Sequence, residues 1–125
     1  MEKDKYKIRI AKISDAVRIR ELLKTWLVEA PFKFGNTNNK KTLENIIFYI
    51  RNSFVIVVEY ENIIVGTLAA TVDDTWYSDK KFLRTLWLHV HSKHRNFSIF
   101  RSIMIVFKEY AMAKKLTAIC EIFLM

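Results

Sequence analysis

Ten residues, His89-Val90-His91-Ser92-Lys93-His94-Arg95-Asn96-Phe97-Ser98, gather three imidazoles, an ammonium and a guanidinium between an alternating segment and an amphipathic one. A turn that carries the chain from a strand into a helix offers free backbone N–H groups and the positive end of the helix dipole, so it receives anions. Lys93, His94 and Arg95 add mobile positive charge beside those N–H groups, and pyrophosphate is the natural guest. The same run contains His-x-His-x-x-His, and the first two rings share a strand face, a spacing that zinc can use. No Cys or paired carboxylate stands near, and anion binding already accounts for basic side chains at a phosphate turn, so no metal is assigned.

Proton transfer has fewer candidates. Asp73-Asp74 ends an apolar segment, Glu121 lies in the last one, and His89 could act as a base through water. Each also has a plain structural reading, as a solvated carboxylate or as an imidazole packed beside Trp87. Trp76-Tyr77 follows the two aspartates, and Cys120 reads as a small buried hydrophobe.

The elements that must position these groups follow from periodicity. Residues Tyr6 to Ile13 alternate basic with apolar, as a strand with one buried face does. Ser14-Asp15 offers an N-cap to a helix whose apolar positions are Val17, Ile19, Leu22, Leu23, Trp26 and Leu27, closed by Pro31. Lys33 to Lys41, with Gly35 and three asparagines, is a polar loop, and from Thr42 a second amphipathic helix carries Leu43, Ile46, Ile47 and Ile50. Phe54 to Glu59 is a continuous apolar strand, and Glu61-Asn62 is a two-residue turn into an antiparallel strand from Ile63 to Val72.

After a polar connection from Asp73 to Lys81, Phe82 to His91 alternates, with Leu86, Leu88 and Val90 on one face and Thr85, Trp87, His89 and His91 on the other. The basic turn then enters a long helix from about Phe97 to Lys114, with the stripe Ile99, Phe100, Ile103, Met104, Val106, Phe107, Tyr110 and Ala111, and Thr117 to Met125 is a last strand. The order β-α-α-β-β-β-α-β predicts an α/β (α+β) fold, a mixed and mostly antiparallel sheet with helices on both faces and a parallel last crossover.

Composition removes several classes of function. A chain of 125 residues makes one domain, 1–125, and 51% hydrophobic residues with 14% aromatics excludes a disordered or collagen-like chain. Two glycines are too few for a P-loop or a complete dinucleotide-binding fingerprint. One cysteine excludes an intramolecular disulfide and a Cys-based zinc site, and fits a reducing, cytoplasmic setting. The charged start and the lack of any run near 18 apolar residues predict neither a signal peptide nor a membrane span. Twenty-one Lys and Arg against 13 Asp and Glu, a net charge of +8, favour a polyanionic partner.

The element order, with Gly66 in the third strand and Val90-His91-Ser92-Lys93-His94-Arg95 ahead of a helix, resembles the GCN5-related N-acetyltransferase (GNAT) superfamily over nearly the whole chain. Leu86 to Ala113 is similar to that family's acetyl-CoA segment. The family motif Arg/Gln-x-x-Gly-x-Gly/Ala stands here as Arg95-Asn96-Phe97-Ser98-Ile99-Phe100, which keeps the Arg and the spacing but places Ser98 and Phe100 at the two small-residue positions. Some short members, including phage-encoded ones, are similar in having Ser at the first, where Ser98 can present its N–H and cap the helix with its hydroxyl. A ring at Phe100 either fills the approach of the phosphates or turns into the core with Met104.

The resemblance implies acetyl-CoA as cosubstrate, with pyrophosphate on the backbone of Arg95, Asn96, Phe97, Ser98, Ile99 and Phe100. It implies that pantetheine runs along Leu88, His89 and Val90, where the fourth strand splays from the fifth. A primary amine, on a small molecule or on a protein lysine or N-terminus, then attacks the thioester directly. Amine acylation needs a base and an acid. The Glu that some relatives place at the start of the fourth strand is replaced by Phe82-Leu83-Arg84-Thr85, and the helix that carries the usual Tyr acid comes after the last strand read here. Glu121, Asp73 and His89 remain as catalytic candidates beside catalysis by positioning alone. The edge of the last strand, with Ile119, Ile122, Phe123 and Leu124, predicts a homodimer. The alternative reading is a GNAT-fold binding protein acting through protein or nucleic-acid contacts, and nucleic-acid binding through net charge predicts a steep salt dependence.

Overall fold

The N-terminal alternation forms β1 (Tyr6–Ile10), followed by α1 (Ala16–Glu29), α2 (Asn39–Asn52), β2 (Phe54–Tyr60), β3 (Ile63–Asp74), β4 (Lys81–Val90), α3 (Phe97–Ala113) and β5 (Thr117–Ile119). These bounds come from a computed structural model that describes residues 5–29 and 38–119. The strands lie side by side in chain order, antiparallel throughout except for the parallel β4–β5 pair. A tight turn joins the antiparallel β2 and β3, whereas the parallel β4–β5 pair needs a crossover of the kind α3 provides. Among the described residues no helix is long and apolar enough to cross a membrane.

Helices cover both faces of the sheet, which is why β2 is buried at five successive positions, Phe54 to Val58. On one face α1 and α2 place Ala16, Ile19, Leu22, Leu23 and Ile46 against Val55, Val57, Ala69 and Trp87. On the other, α3 places Ile99, Ile103, Phe107 and Ala111 against Ile56, Val58, Leu68 and Leu83. At about 1.5–3 kcal/mol for each fully buried side chain of this size, Ile103 and Phe107 alone hold α3 firmly on the sheet.

Two local features fix the register of the central strands. Glu61 and Asn62 have φ of 50° and 67°, the left-handed pair that a two-residue hairpin turn requires. Gly66 lies between Val58 on β2 and Val90 on β4. A Cβ there would stand 3.2 Å from Val90 Cγ2 and 3.4 Å from Val58 Cβ, so the glycine makes room for two valines.

A β-bulge in β4 corrects the simple alternation. Ala69 faces Trp87 and Ala70 faces Thr85, which leaves Leu86 as an extra residue. Side chains before and after a bulge exchange faces. Leu83 therefore joins Leu88 and Val90 beneath α3, while Leu86 packs with Trp87 beneath α1 and α2. Thr85, opposite Ala70 of the α3 cluster, points to the α3 side and not with Trp87 and His89.

Helix starts also differ from the sequence reading. Asn38 caps α2 by accepting from the Lys41 N–H at 2.9 Å, so that helix begins at Asn39 and not at Thr42. Asp15 sits in a short 3-10 turn before α1, where it accepts from the Lys12 N–H at 2.7 Å and from both terminal nitrogens of Arg9 at 2.7 and 3.0 Å. The expected helix end at Pro31 and the loop glycine Gly35 lie outside the described residues. So do Cys120, Glu121 and the edge residues Ile122, Phe123 and Leu124, on which the expected dimer rests.

Candidate active site at the β4–α3 turn

Strand β4 is paired with β3 along its length, and over the described residues of β5 its Phe82, Leu83 and Arg84 pair with Thr117, Ala118 and Ile119. The bulge at Leu86 follows, and β4 runs directly into the basic turn. Leu88, His89 and Val90 close the strand, and Arg95 to Phe100 follow it.

The turn is held by its own groups. His91 Nδ1 accepts from the Lys93 N–H at 3.2 Å, and the His94 N–H donates to the His91 carbonyl at 2.8 Å. Asn96 caps α3, its side-chain oxygen accepting from the Ile99 N–H at 2.9 Å, so the cap is Asn96 and not Ser98. In an α-helix the first N–H groups have no intrahelical acceptor, which leaves those of Phe97 and Ser98 directed out of the first turn. The Ser98 carbonyl accepts from the Ser102 hydroxyl at 3.0 Å.

A cavity of about 470 Å³ opens beside this turn, between Tyr6, Ile8 and Val58 on β1 and β2 and, across from them, the cap Asn96 with Ser98, Ile99 and Ser102 of α3. Phe97 is exposed, and Phe100 is half-buried and absent from the cavity wall. Arg95 turns the other way: Nε donates to the Val90 carbonyl at 2.7 Å, and Nη2 to Glu29 Oε2 at 2.6 Å. The Arg95 guanidinium holds the Glu29 carboxyl below its ordinary range.

His89 is 5% exposed, on the α1 side of β4, with Nε2 at 2.8 Å from Thr25 Oγ1. That hydroxyl donates its own hydrogen to the Leu22 carbonyl at 2.6 Å, so it accepts from His89, which places the imidazole proton on Nε2. Burial, with the nearby Arg95 charge, pushes the His89 pKa below its ordinary value, and the ring is neutral at pH 7. His94 Nδ1 meets the Tyr6 hydroxyl at 3.0 Å instead. The three histidines thus have three separate partners, and the described residues contain no group of three that could hold a metal ion.

Asp73 is bound to Arg84 Nε at 3.1 Å and to the Asp74 N–H at 2.9 Å. It lies six positions along β3 from Thr67, the partner of His89, or about 20 Å. The structure therefore does not bring Asp73 and His89 together, and Glu121 lies outside the described residues. Trp76 and Tyr77 are 95% and 72% exposed at the tip of the β3–β4 hairpin, so they do not cover the end of the sheet. Glu29, the partner of Arg95, carries no local sign in the sequence of a contact 66 positions away, and simple alternation puts Thr85 on the wrong face because a bulge is a property of two strands.

Compared by sequence, no protein-family model and no curated protein matches. Compared by fold, an acetyltransferase assigned in Clostridium acetobutylicum, solved with acetyl-CoA, superposes with a TM-score of 0.79 at 14% identity over 92% of this chain and 79% of its own. A GNAT family acetyltransferase of Staphylococcus aureus gives 0.70 at 17% identity over 93% and 84%. An aminoglycoside acetyltransferase from an uncultured soil metagenomic sample, in complex with sisomicin, gives 0.71 at 19% over 96% and 79%. The chain has the GNAT fold. In that fold the end of β4 and the first turn of α3 are consecutive.

Proposed function

We propose that this protein is an acetyl-CoA-dependent N-acyltransferase that transfers an acetyl group to a primary amine. The observation that carries this reading is the turn from β4 into α3, which leaves the Phe97 and Ser98 N–H groups without an intrahelical acceptor, in a chain whose fold superposes on one solved with acetyl-CoA. Pantetheine, an extended chain of amides, can lie along Leu88 to Val90 and bond their backbone as a strand would. The N–H groups of Phe97 and Ser98 then meet pyrophosphate at the positive end of the helix dipole.

Chemistry follows from position. The amine nitrogen attacks the thioester carbon, the C–N bond forms, the C–S bond breaks, and CoA leaves as a thiolate that takes up the proton lost from nitrogen. Asp73 is held by Arg84, and His89 is buried where desolvation disfavours its protonated form, so neither is assigned as the base. Alignment of amine and thioester supplies the acceleration. The acceptor is an amine of a small molecule or of a protein lysine or N-terminus, and the likeness to an aminoglycoside acetyltransferase supports a polyamine or aminosugar among the first compounds tried.

Calorimetry with acetyl-CoA, followed by thiol release against a panel of amines including sisomicin, tests the reading. Micromolar binding with turnover on a panel member is expected. No binding at millimolar acetyl-CoA overturns it, and binding without turnover on any amine replaces it with a cofactor-binding protein.

A further inference from the structure

Helix α3 is apolar on two sides. Ile99, Ile103, Phe107 and Ala111 are buried against the sheet. The opposite side, at helical spacing, carries Phe97, Arg101, Ile105, Lys108 and Met112. Phe97 is 78% exposed, Ile105 46% and Met112 75%, and both cations are exposed. A helix on the surface of a domain ordinarily turns charged and polar residues of both signs outward. On α1 Glu21 and Lys24 stand between Val17 and Val28, and on α2 Lys41, Glu44 and Arg51 surround Phe48. On α3 large apolar side chains alternate with cations alone, along roughly 22 Å of helix. Lys114 and Lys115 continue the positive charge past its end, and Glu109 is its one carboxylate. None of Arg101, Lys108, Lys114 and Lys115 is in an ion pair among the described residues.

We propose that the outer face of α3 docks on an anionic phospholipid surface, with the helix lying in the plane of the interface. The inference goes beyond the N-acyltransferase reading and does not depend on it. Phe97, Ile105 and Met112 enter the acyl boundary, while Arg101, Lys108 and the two lysines after the helix meet the headgroup phosphates. The alternation itself selects this partner. Nucleic acid offers phosphates to the cations but leaves three large apolar side chains in water. A second copy docked face to face covers those side chains but brings Arg101 and Lys108 against the same two cations, with one Glu109 from each copy to offset them. An anionic bilayer satisfies both kinds of residue at once, and the net charge of +8 draws the protein to it. No described helix is long and apolar enough to cross a membrane, so α3 lies on the surface and does not span it.

Sedimentation with sucrose-loaded vesicles tests this, comparing phosphatidylcholine alone with an equal mixture of phosphatidylcholine and phosphatidylglycerol. Binding to the mixed vesicles and none to phosphatidylcholine alone is expected, weakening steeply as salt is added. Ile105→Gln with Met112→Gln lowers the affinity for mixed vesicles by about tenfold or more, and Arg101→Gln with Lys108→Gln lowers it by about 10- to 30-fold. All four side chains are exposed, so neither pair shifts the thermal midpoint by more than about 3 °C. Should the double apolar variant fail to fold, Met112→Gln alone, in the last turn of α3, carries the apolar comparison.

Wild-type protein that stays in solution with mixed vesicles overturns the inference and leaves the N-acyltransferase reading in place. Binding that the apolar variant retains at wild-type strength shows attraction by charge alone and overturns it as well. A DNA duplex bound as tightly as mixed vesicles, by wild type and the apolar variant alike, assigns the face to nucleic acid instead. A dimer in light scattering that the apolar variant turns into a monomer, in protein that leaves the vesicles unbound, assigns it to a second copy.

Discussion

Arg95, at the mouth of the turn, donates to the Glu29 carboxylate at 2.6 Å across 66 residues of sequence, while its Nε holds the Val90 carbonyl at 2.7 Å. One guanidinium thus joins the last residue of α1 to the last residue of β4. Both partners are 45% exposed, so the pair adds little to stability and is screened by salt. Its consequence is for ligand charge, because a cation held by a carboxylate is partly neutralised toward a phosphate.

Glu29→Gln is therefore expected to tighten acetyl-CoA binding by about two- to fivefold at low ionic strength and to leave the thermal midpoint unchanged. At 0.5 M salt, roughly a 4 Å screening length, the advantage disappears. Calorimetry at the two salt concentrations reads this directly. Equal affinities of variant and wild type at low salt would show that Arg95 does not meet the phosphates.

Arg9 forms a clamp of a different kind. It binds Asp15 through two nitrogens and Glu59 through Nε at 2.8 Å, tying β1 to β2 and to the turn that opens α1. The Asp15 side chain is 10% exposed. The Arg9 hydrogen bonds hold the Asp15 carboxyl below its usual range, and the Lys12 N–H adds to them. A carboxyl with a lowered folded-state pKa contributes stability above its ordinary value near pH 4 and loses it as pH falls through the folded-state value. Asp15→Asn should cost about 2 kcal/mol at pH 7, and the gap to wild type should close steadily below about pH 4. Urea unfolding at pH 7 and pH 3 measures both ends, and a gap independent of pH would place the effect elsewhere.

The order of elements was legible because each carries its own period: alternation in β1, a helical stripe in α3, and the Glu61-Asn62 pair whose residue types admit left-handed backbone. The phosphate turn was legible for the same local reason, as basic residues between a strand and a helix. What escaped depends on pairing. Leu86 becomes a bulge only because Ala69 and Ala70 face Trp87 and Thr85, and that shift decides which side of the sheet Thr85 serves. The contact of Arg95 with Glu29 depends equally on where α1 ends over the sheet, which no periodicity records.

His89 offers a second titration with the opposite chemistry of charge. The ring is buried, donates to Thr25, and has a pKa below its ordinary value because burial disfavours the imidazolium. The unfolded chain then binds the proton more readily than the folded one, so stability rises with pH through this window. The contribution is fully present above about pH 6.5, the ordinary histidine value, and is lost as pH falls toward the lower folded-state value. His89→Gln, which retains an amide donor for Thr25, should flatten the midpoint between pH 7.5 and about pH 5. Thermal unfolding across that range decides it, and an unchanged slope in the variant would assign the pH dependence to other groups.

Two residues at the start of α3, the flanking Asn96 and the helical Ser98, are both good capping types, and only the position of the helix start distinguishes them. Asn96 has extended backbone, with φ of −157° and ψ of 165°, and accepts from the Ile99 N–H three residues on, whereas Ser98 is already inside the first turn. A cap lost to alanine costs about 1 kcal/mol, while the same change one turn into an exposed helix costs almost nothing. Asn96→Ala should therefore lower stability by about 1 kcal/mol, and Ser98→Ala should leave it within about 0.5 kcal/mol. The ligand effects should differ in the same way. Ser98→Ala keeps its backbone N–H and so keeps acetyl-CoA affinity within about twofold, while Asn96→Ala frays the turn that presents the N–H groups of Phe97 and Ser98 and weakens binding by about three- to tenfold. Urea unfolding and calorimetry on the two variants report stability and affinity side by side. A larger loss from Ser98→Ala in either measurement would move the cap, and with it the phosphate site, two residues along the helix.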